Sequence, residues 1–101
     1  MPQALSNPQK RYLRGLAHDL KPVLMVGAKG VTPGVKAELA QALEQHELVK
    51  MKVSADDRDS RDALIAELAD GCDAALVSRI GHTAVLYRRN DENPLVILPR
   101  G

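Results

Sequence analysis

The stretch VGAKGVTPGV, Val26 to Val35, sets Gly27 and Gly30 three apart around Ala28 and Lys29. Glycine is the costliest residue to order, so Gly27, Gly30 and Gly34 so close together imply a special demand on the backbone. Directly after them, Thr32-Pro33 has the form of a helix start, and a helix N-terminus offers unpaired N–H groups to an anion. Two readings follow. One is a strand-to-helix turn that needs positive φ at one glycine. The other is a loop whose backbone and Lys29 meet a sugar-phosphate chain. By spacing alone the turn is the stronger reading, because two glycines three apart are a weak motif. Nucleotide-binding loops fit badly, since neither GxxxxGK[ST] nor GxGxxG is present.

Catalytic chemistry finds no support. His46-Glu47 begins an HExxH-like string, but Lys50 stands where the second zinc ligand would be. His18, His46 and His82 are widely spaced and lack paired cysteines, a poor set for a metal. Asp56, Asp57, Asp59 and Asp62 sit where a helix start favours negative charge, without the glycine and closing Glu of a calcium loop. Cys72 is the single cysteine, so no internal disulfide can form, and its expected place is the apolar core. We expect no enzyme activity, no metal and no cofactor.

Charge is more informative. The net charge of +1 hides a split: residues 1–52 carry eight Lys/Arg against four Asp/Glu, and residues 53–101 carry six against nine. Such asymmetry can mark a surface that faces a polyanion. At helical spacing, Lys10, Arg11, Arg14, His18 and Lys21 share one arc. Tyr12, Leu13, Leu16, Ala17 and Leu20 form the apolar arc, which places Tyr12 at the edge of the core. Lys50 and Lys52 alternate with Val49, Met51 and Val53, giving a half-buried strand with a basic open face. Each basic element alone would pass for a solvated surface. Together they suit nucleic-acid phosphates, which supply most sequence-independent affinity. Tyr12 and Tyr87 are the only aromatic residues, too few for a base-stacking platform, so recognition through backbone and shape is expected.

The elements that position these residues follow from local punctuation. Asn7-Pro8 caps a first helix that proline ends at Lys21-Pro22. Val23–Val26 is a short apolar strand, expected to be covered on both faces. A second helix runs from Thr32-Pro33 to His46-Glu47, and Leu48–Val53 is the alternating strand. The third helix starts at Asp59 or Ser60 and stops at Gly71. Ala74–Ile80 and Thr83–Arg89 form a hairpin through Gly81-His82. Leu95–Leu98, between Pro94 and Pro99, suits a short edge strand. The result is one α/β domain over residues 1–101, a two-layer α-β-α-β-α-β-β arrangement with a mixed four-stranded sheet. With neither an apolar signal region nor a membrane-length apolar run, a cytoplasmic protein is expected.

Three segments, RGLAHDLKPVLMVGAKGVTPGV, QALEQHELVKMKV and IGHTAVLYRR with its ILPR ending, resemble the CRM domain (chloroplast RNA splicing and ribosome maturation) in its bacterial stand-alone YhbY form. The likeness is collinear over nearly the whole chain. It implies a fold similar to the C-terminal domain of translation initiation factor three. It also implies a GxxG loop, here Gly27-Ala28-Lys29-Gly30, that engages RNA backbone as the KH-domain loop does. The implied partner is RNA, in particular ribosomal RNA in large-subunit precursors, with ribosomal proteins as further candidates and no preference for DNA or membrane. On this reading Gly27, Ala28, Lys29, Gly30 and Thr32 form the loop site. Lys10, Arg11, Arg14, His18 and Lys21 extend it, and Lys50 and Lys52 are additional contacts. Many members carry other polar pairs at the loop centre. The acid content after Val53 is heavy for an RNA face, which places RNA away from the third helix. The rival reading is a protein-interaction adaptor on ribosome precursors that does not touch RNA.

Overall fold

The structure, a computed structural model, describes residues 5–27, 30–54 and 57–89. Seven elements follow in the expected order: α1 (Asn7–Ala17), β1 (Leu24–Val26), α2 (Pro33–His46), β2 (Leu48–Val53), α3 (Arg58–Gly71), β3 (Ala75–Ile80) and β4 (Thr83–Tyr87). The expected Leu95–Leu98 strand lies outside the described residues.

Helix boundaries are set by side chains that satisfy first-turn N–H groups. Ser6, one residue before the expected Asn7, caps α1 in a reciprocal box. Its hydroxyl accepts from Gln9 N–H at 3.2 Å, and the Gln9 side chain accepts from Ser6 N–H at 3.1 Å. Thr32 caps α2 as expected, its Oγ1 accepting from Val35 N–H at 3.1 Å. The α3 cap is Asp57 rather than Asp59 or Ser60, and its carboxylate accepts from Ser60 N–H at 2.7 Å. Gly71 is still helical; the chain turns at Asp73, whose φ of 56° is left-handed.

The sheet order is β1-β2-β4-β3, with β1 parallel to β2 and the other pairs antiparallel. The parallel pair requires a crossover, which α2 supplies. Gly81 and His82 make the two-residue turn between β3 and β4, with Gly81 at φ 59° as a primed turn demands.

Apolar side chains divide into two clusters, one on each face of the sheet. α2 and α3 contribute Leu39, Leu43, Ile65 and Leu68, which pack on Val26 and Met51. α1 contributes Leu13 and Ala17 against Leu48, Val77, Val85 and Tyr87. The mixed sheet and element order match the sequence reading, but the layering is finer than two layers. The helices lie on both faces, because α1 buries a stripe of its own opposite α2 and α3.

That stripe is narrow, and it corrects two expectations. Only Leu13 and Ala17 of α1 are buried, while Tyr12 is 43% exposed and belongs to the surface. α1 packs across β2, β4 and β3 and leaves β1 open on that face. Met25 is therefore 73% exposed, and β1 is covered on one face rather than two.

Candidate nucleic-acid interface

The two glycines of the GxxG stretch separate once their backbones are compared. Gly30 has φ +70°, and a Cβ there would lie 3.4 Å from Leu64 Cδ2. Its N–H donates to Gly27 C=O at 3.0 Å, closing a tight turn. Gly30 is thus required by the turn itself. Gly27 is different: its φ lies outside the left-handed region, it is exposed, and an added Cβ would meet nothing within 4 Å. The fold accounts for one glycine and leaves the other unexplained. Ala28 and Lys29, the centre of the motif, lie outside the described residues.

The roots of this loop are tied into the sheet. Ser54 N–H donates to Val26 C=O at 2.9 Å, and Val53 N–H donates to His82 C=O at 2.7 Å. The GxxG stretch, the end of β2, the β3–β4 turn and the N-termini of α2 and α3 therefore gather at one end of the domain. Thr32 contributes there as a helix cap, its hydroxyl committed to Val35.

On α1, Arg11, Arg14 and His18 are exposed and Lys10 is partly so. Gly15 falls between them on the same stripe, at positions i, i+3, i+4 and i+7 from Arg11. Nothing lies within 4 Å of a Cβ built on Gly15, so the fold gives no reason for it either. Arg14 and His18 meet Lys50 across a cavity of about 240 Å³ whose far wall includes Ser78, Ile80 and Thr83. Lys21 lines a second, larger depression of about 470 Å³ with Leu16, Leu20 and Val23, and Lys50 borders both.

Lys50 has a structural task that sequence alternation does not show. Its Nζ donates to the carbonyls of Ala17 at 3.3 Å and Leu20 at 3.2 Å. A cation at a helix C-terminus completes unpaired carbonyls and opposes the dipole. α1 ends at Ala17 instead of running to Lys21, and these bonds fasten the turn that follows it, in which Ala17 C=O also accepts from Leu20 N–H at 3.0 Å. An ammonium has three donors, so one remains directed elsewhere. Lys52, two residues on, faces the same side and is exposed.

Two acidic side chains after Val53 are used within the fold. Asp57 is held below the usual carboxylate range by hydrogen bonds from Ser60, its backbone N–H first, in the α3 cap. Asp62 pairs with Arg79. Arg61 Nη1 donates to His82 Nδ1 at 2.8 Å, joining α3 to the β3–β4 turn. Arg88 donates to Cys72 C=O and Ala40 C=O, both at 3.1 Å, and ties α3 to α2. Burial pushes the Cys72 thiol up, against the pull of Arg88 and Lys36. Among the described residues no group of three or more His, Cys, Asp or Glu could hold a metal ion. No helix among them is long and apolar enough to cross a membrane.

Sequence reasoning missed Gly15 and Arg88. Gly15 had a usable signal, a glycine inside a helix flanked by cations at helical spacing. Arg88 had none, because its partners are 16 and 48 residues away.

The order of elements, the loop and the basic helix can be set beside known proteins. The sequence profile of the CRS1 / YhbY (CRM) domain matches residues 5–88. The chain belongs to the CRM family. A Haemophilus influenzae protein named "RNA-binding protein" is 47% identical over 96 residues, 95% of this chain and 96% of the relative. A Bacillus subtilis relative named as a probable RNA-binding protein is 38% identical over 95 residues, 94% of this chain and 99% of its own length. Among solved structures, the solution structure of a candidate RNA-binding protein from Staphylococcus aureus superposes with a TM-score of 0.82 at 34% identity. The alignment covers 95% of this chain and all of that one. This CRM chain therefore shares both sequence and fold with its relatives along nearly its full length.

Proposed function

We propose that this CRM domain binds RNA by its sugar-phosphate backbone and works in the cytoplasm on large ribosomal subunit precursors, without covalent chemistry. The observation that carries the reading is the exposed Gly27, which the turn does not require, at the loop that leads through Gly30 into the N-terminus of α2; in sequence, Lys29 is the cation of that loop. A bare backbone at such a point admits a phosphate, and helix N–H groups favour its charge. The names of the relatives support RNA as the ligand class. Arg11, Arg14 and His18 extend the positive surface along α1, with Gly15 as a second point of close approach. Lys10, Lys21 and Lys52 add to the field, and Lys50 contributes its remaining donor while holding α1 in place. The subunit-assembly role rests on the resemblance to stand-alone bacterial members.

A salt titration tests the binding mode. If several phosphates are contacted, log affinity falls with log salt at roughly −0.7 to −0.9 per phosphate. Lys29→Glu should weaken binding severalfold and flatten that slope. A flat slope in the unaltered protein, or unchanged binding by Lys29→Glu, would sink the loop assignment. Crosslinking in cells, followed by sequencing of the attached RNA, tests the precursor assignment; recovery of unrelated RNAs alone would reject it.

A further inference from the structure

Beyond the end of α1, the face of the sheet that α1 covers carries one exposed row running across all four strands. Cross-strand register sets it out: Met25 lies beside Lys52, Lys52 beside Thr83, and Thr83 beside Ile80. Neighbouring strands are about 4.8 Å apart, so the row is about 14 Å wide. Its two ends are apolar and strongly exposed, Met25 at 73% and Ile80 at 77%. Lys52 and the half-buried Thr83 lie between them. One row further back, Lys50 and Val85 are already covered by the C-terminal end of α1.

Exposed apolar side chains aligned in this way mark an interaction surface. Three features select its occupant. The row contains a lysine. Ile80 and Thr83 line the same cavity as Arg14, His18 and Lys50, so cations flank the apolar end. At the other end, Met25 stands two residues before Gly27, where the backbone of the ligand is placed. A surface with apolar patches for planar faces, a central donor and a positive flank suits unpaired nucleobases. In a duplex those faces are stacked inward, and the A-form major groove is too narrow for side chains to enter. Other four-stranded sheets lay two or three bases across themselves with aromatic residues. Here methionine and isoleucine offer flatter specificity, since an apolar contact tolerates any base face.

We propose that Met25, Lys52, Thr83 and Ile80 form a shelf for unpaired bases, and that this domain prefers single-stranded to double-stranded RNA. The proposal rests on the RNA-binding reading above and deepens it.

Fluorescence anisotropy of the full chain with one short mixed-sequence RNA, unpaired or annealed to its complement, provides the test. The double substitution Met25→Ser, Ile80→Ser changes two exposed side chains, and its melting curve reports whether the fold is kept. The expected result is about a tenfold loss for the unpaired strand, the scale of two apolar side chains losing partly buried contacts. Duplex affinity and salt slope should stay as in the unaltered protein. The conservative pair Met25→Leu, Ile80→Val should retain tight binding. Arg14→Glu should instead weaken both RNAs and reduce the slope. Equal affinity of the double variant for unpaired RNA overturns the shelf, as does a loss that is the same for both RNAs. Retained RNA binding with lost capture of a ribosomal protein overturns it in favour of a protein-docking face. An unaltered protein that binds neither RNA refutes the RNA reading itself, and the shelf with it.

Discussion

Replacing Gly15 with alanine should make this protein more stable and a poorer RNA binder. Gly15 lies inside α1, and a Cβ there meets nothing within 4 Å. Glycine in a helix is worse than alanine by roughly 0.5–1 kcal/mol. The position is in the last turn, where His18 N–H already reaches back to Gly15 C=O at 3.3 Å, so the lower half of that range applies. For a domain of this size the gain converts to a rise in Tm of roughly 2–5 °C. On the binding side, the methyl group would stand between Arg11, Arg14 and His18 and hold a phosphate away from the helix. Loss of one such contact, about 0.5–1.5 kcal/mol, weakens binding about two- to tenfold. Because every cation is kept, the salt slope should become shallower by no more than one phosphate's share, about 0.7–0.9. Circular-dichroism melting and anisotropy on the same preparation provide both numbers. A more stable variant with unchanged affinity would refute the idea that Gly15 is a point of close approach. A less stable one would refute the assignment of this glycine as a cost to the helix.

Two further outcomes follow from side chains within the fold. Lys50→Ala should cost about 1 kcal/mol in urea denaturation by leaving the Ala17 and Leu20 carbonyls without their cation. Lys52→Ala, on the same face but exposed, should stay within about 0.5 kcal/mol of the unaltered protein. Equal effects from the two would argue against the tether. Asp57 has a folded pKa below its ordinary value, so its contribution is present above pH ~4 and disappears as pH falls through the folded pKa. Asp57→Asn keeps a capping side chain without the charge. Its Tm should therefore drop less than that of the unaltered protein between about pH 5 and pH 2. Parallel curves would show that the cap does not depend on ionisation.

Much of the architecture was legible because proline and capping residues punctuate the chain. Pro22 and Thr32-Pro33 delimit β1 and α2 whatever the tertiary packing does, and Gly81-His82 specifies its hairpin locally. Layering was not legible in the same way. The apolar arc of α1 includes Tyr12, Leu16 and Leu20, yet only Leu13 and Ala17 are buried, because the helix rests on β2, β4 and β3 and stops short of the edge strand β1. How far a helix reaches across a sheet is a non-local property. Lys50 makes the same point: its alternation with Val49 and Met51 gave its face, but the carbonyls that take its ammonium lie 30 and 33 residues away. For the GxxG stretch, spacing could not distinguish the two glycines. Only the backbone angles divide them into one that turns the chain and one that the turn leaves unexplained.

The hydrogen bond from Gly30 N–H to Gly27 C=O has a thermodynamic consequence. Ordering a residue's backbone costs roughly 1–2 kcal/mol, and a loop that ordered itself only on contact would subtract that from affinity. Here the two glycines are held at a set separation when the domain folds, with the Val26–Ser54 and Val53–His82 bonds bracing the strands beneath them. The entropic penalty of the motif's ends is thus charged to folding rather than to association. Under the proposed binding role, a phosphate chain would meet anchor points already in register, which favours a small heat-capacity change and fast docking over coupled folding.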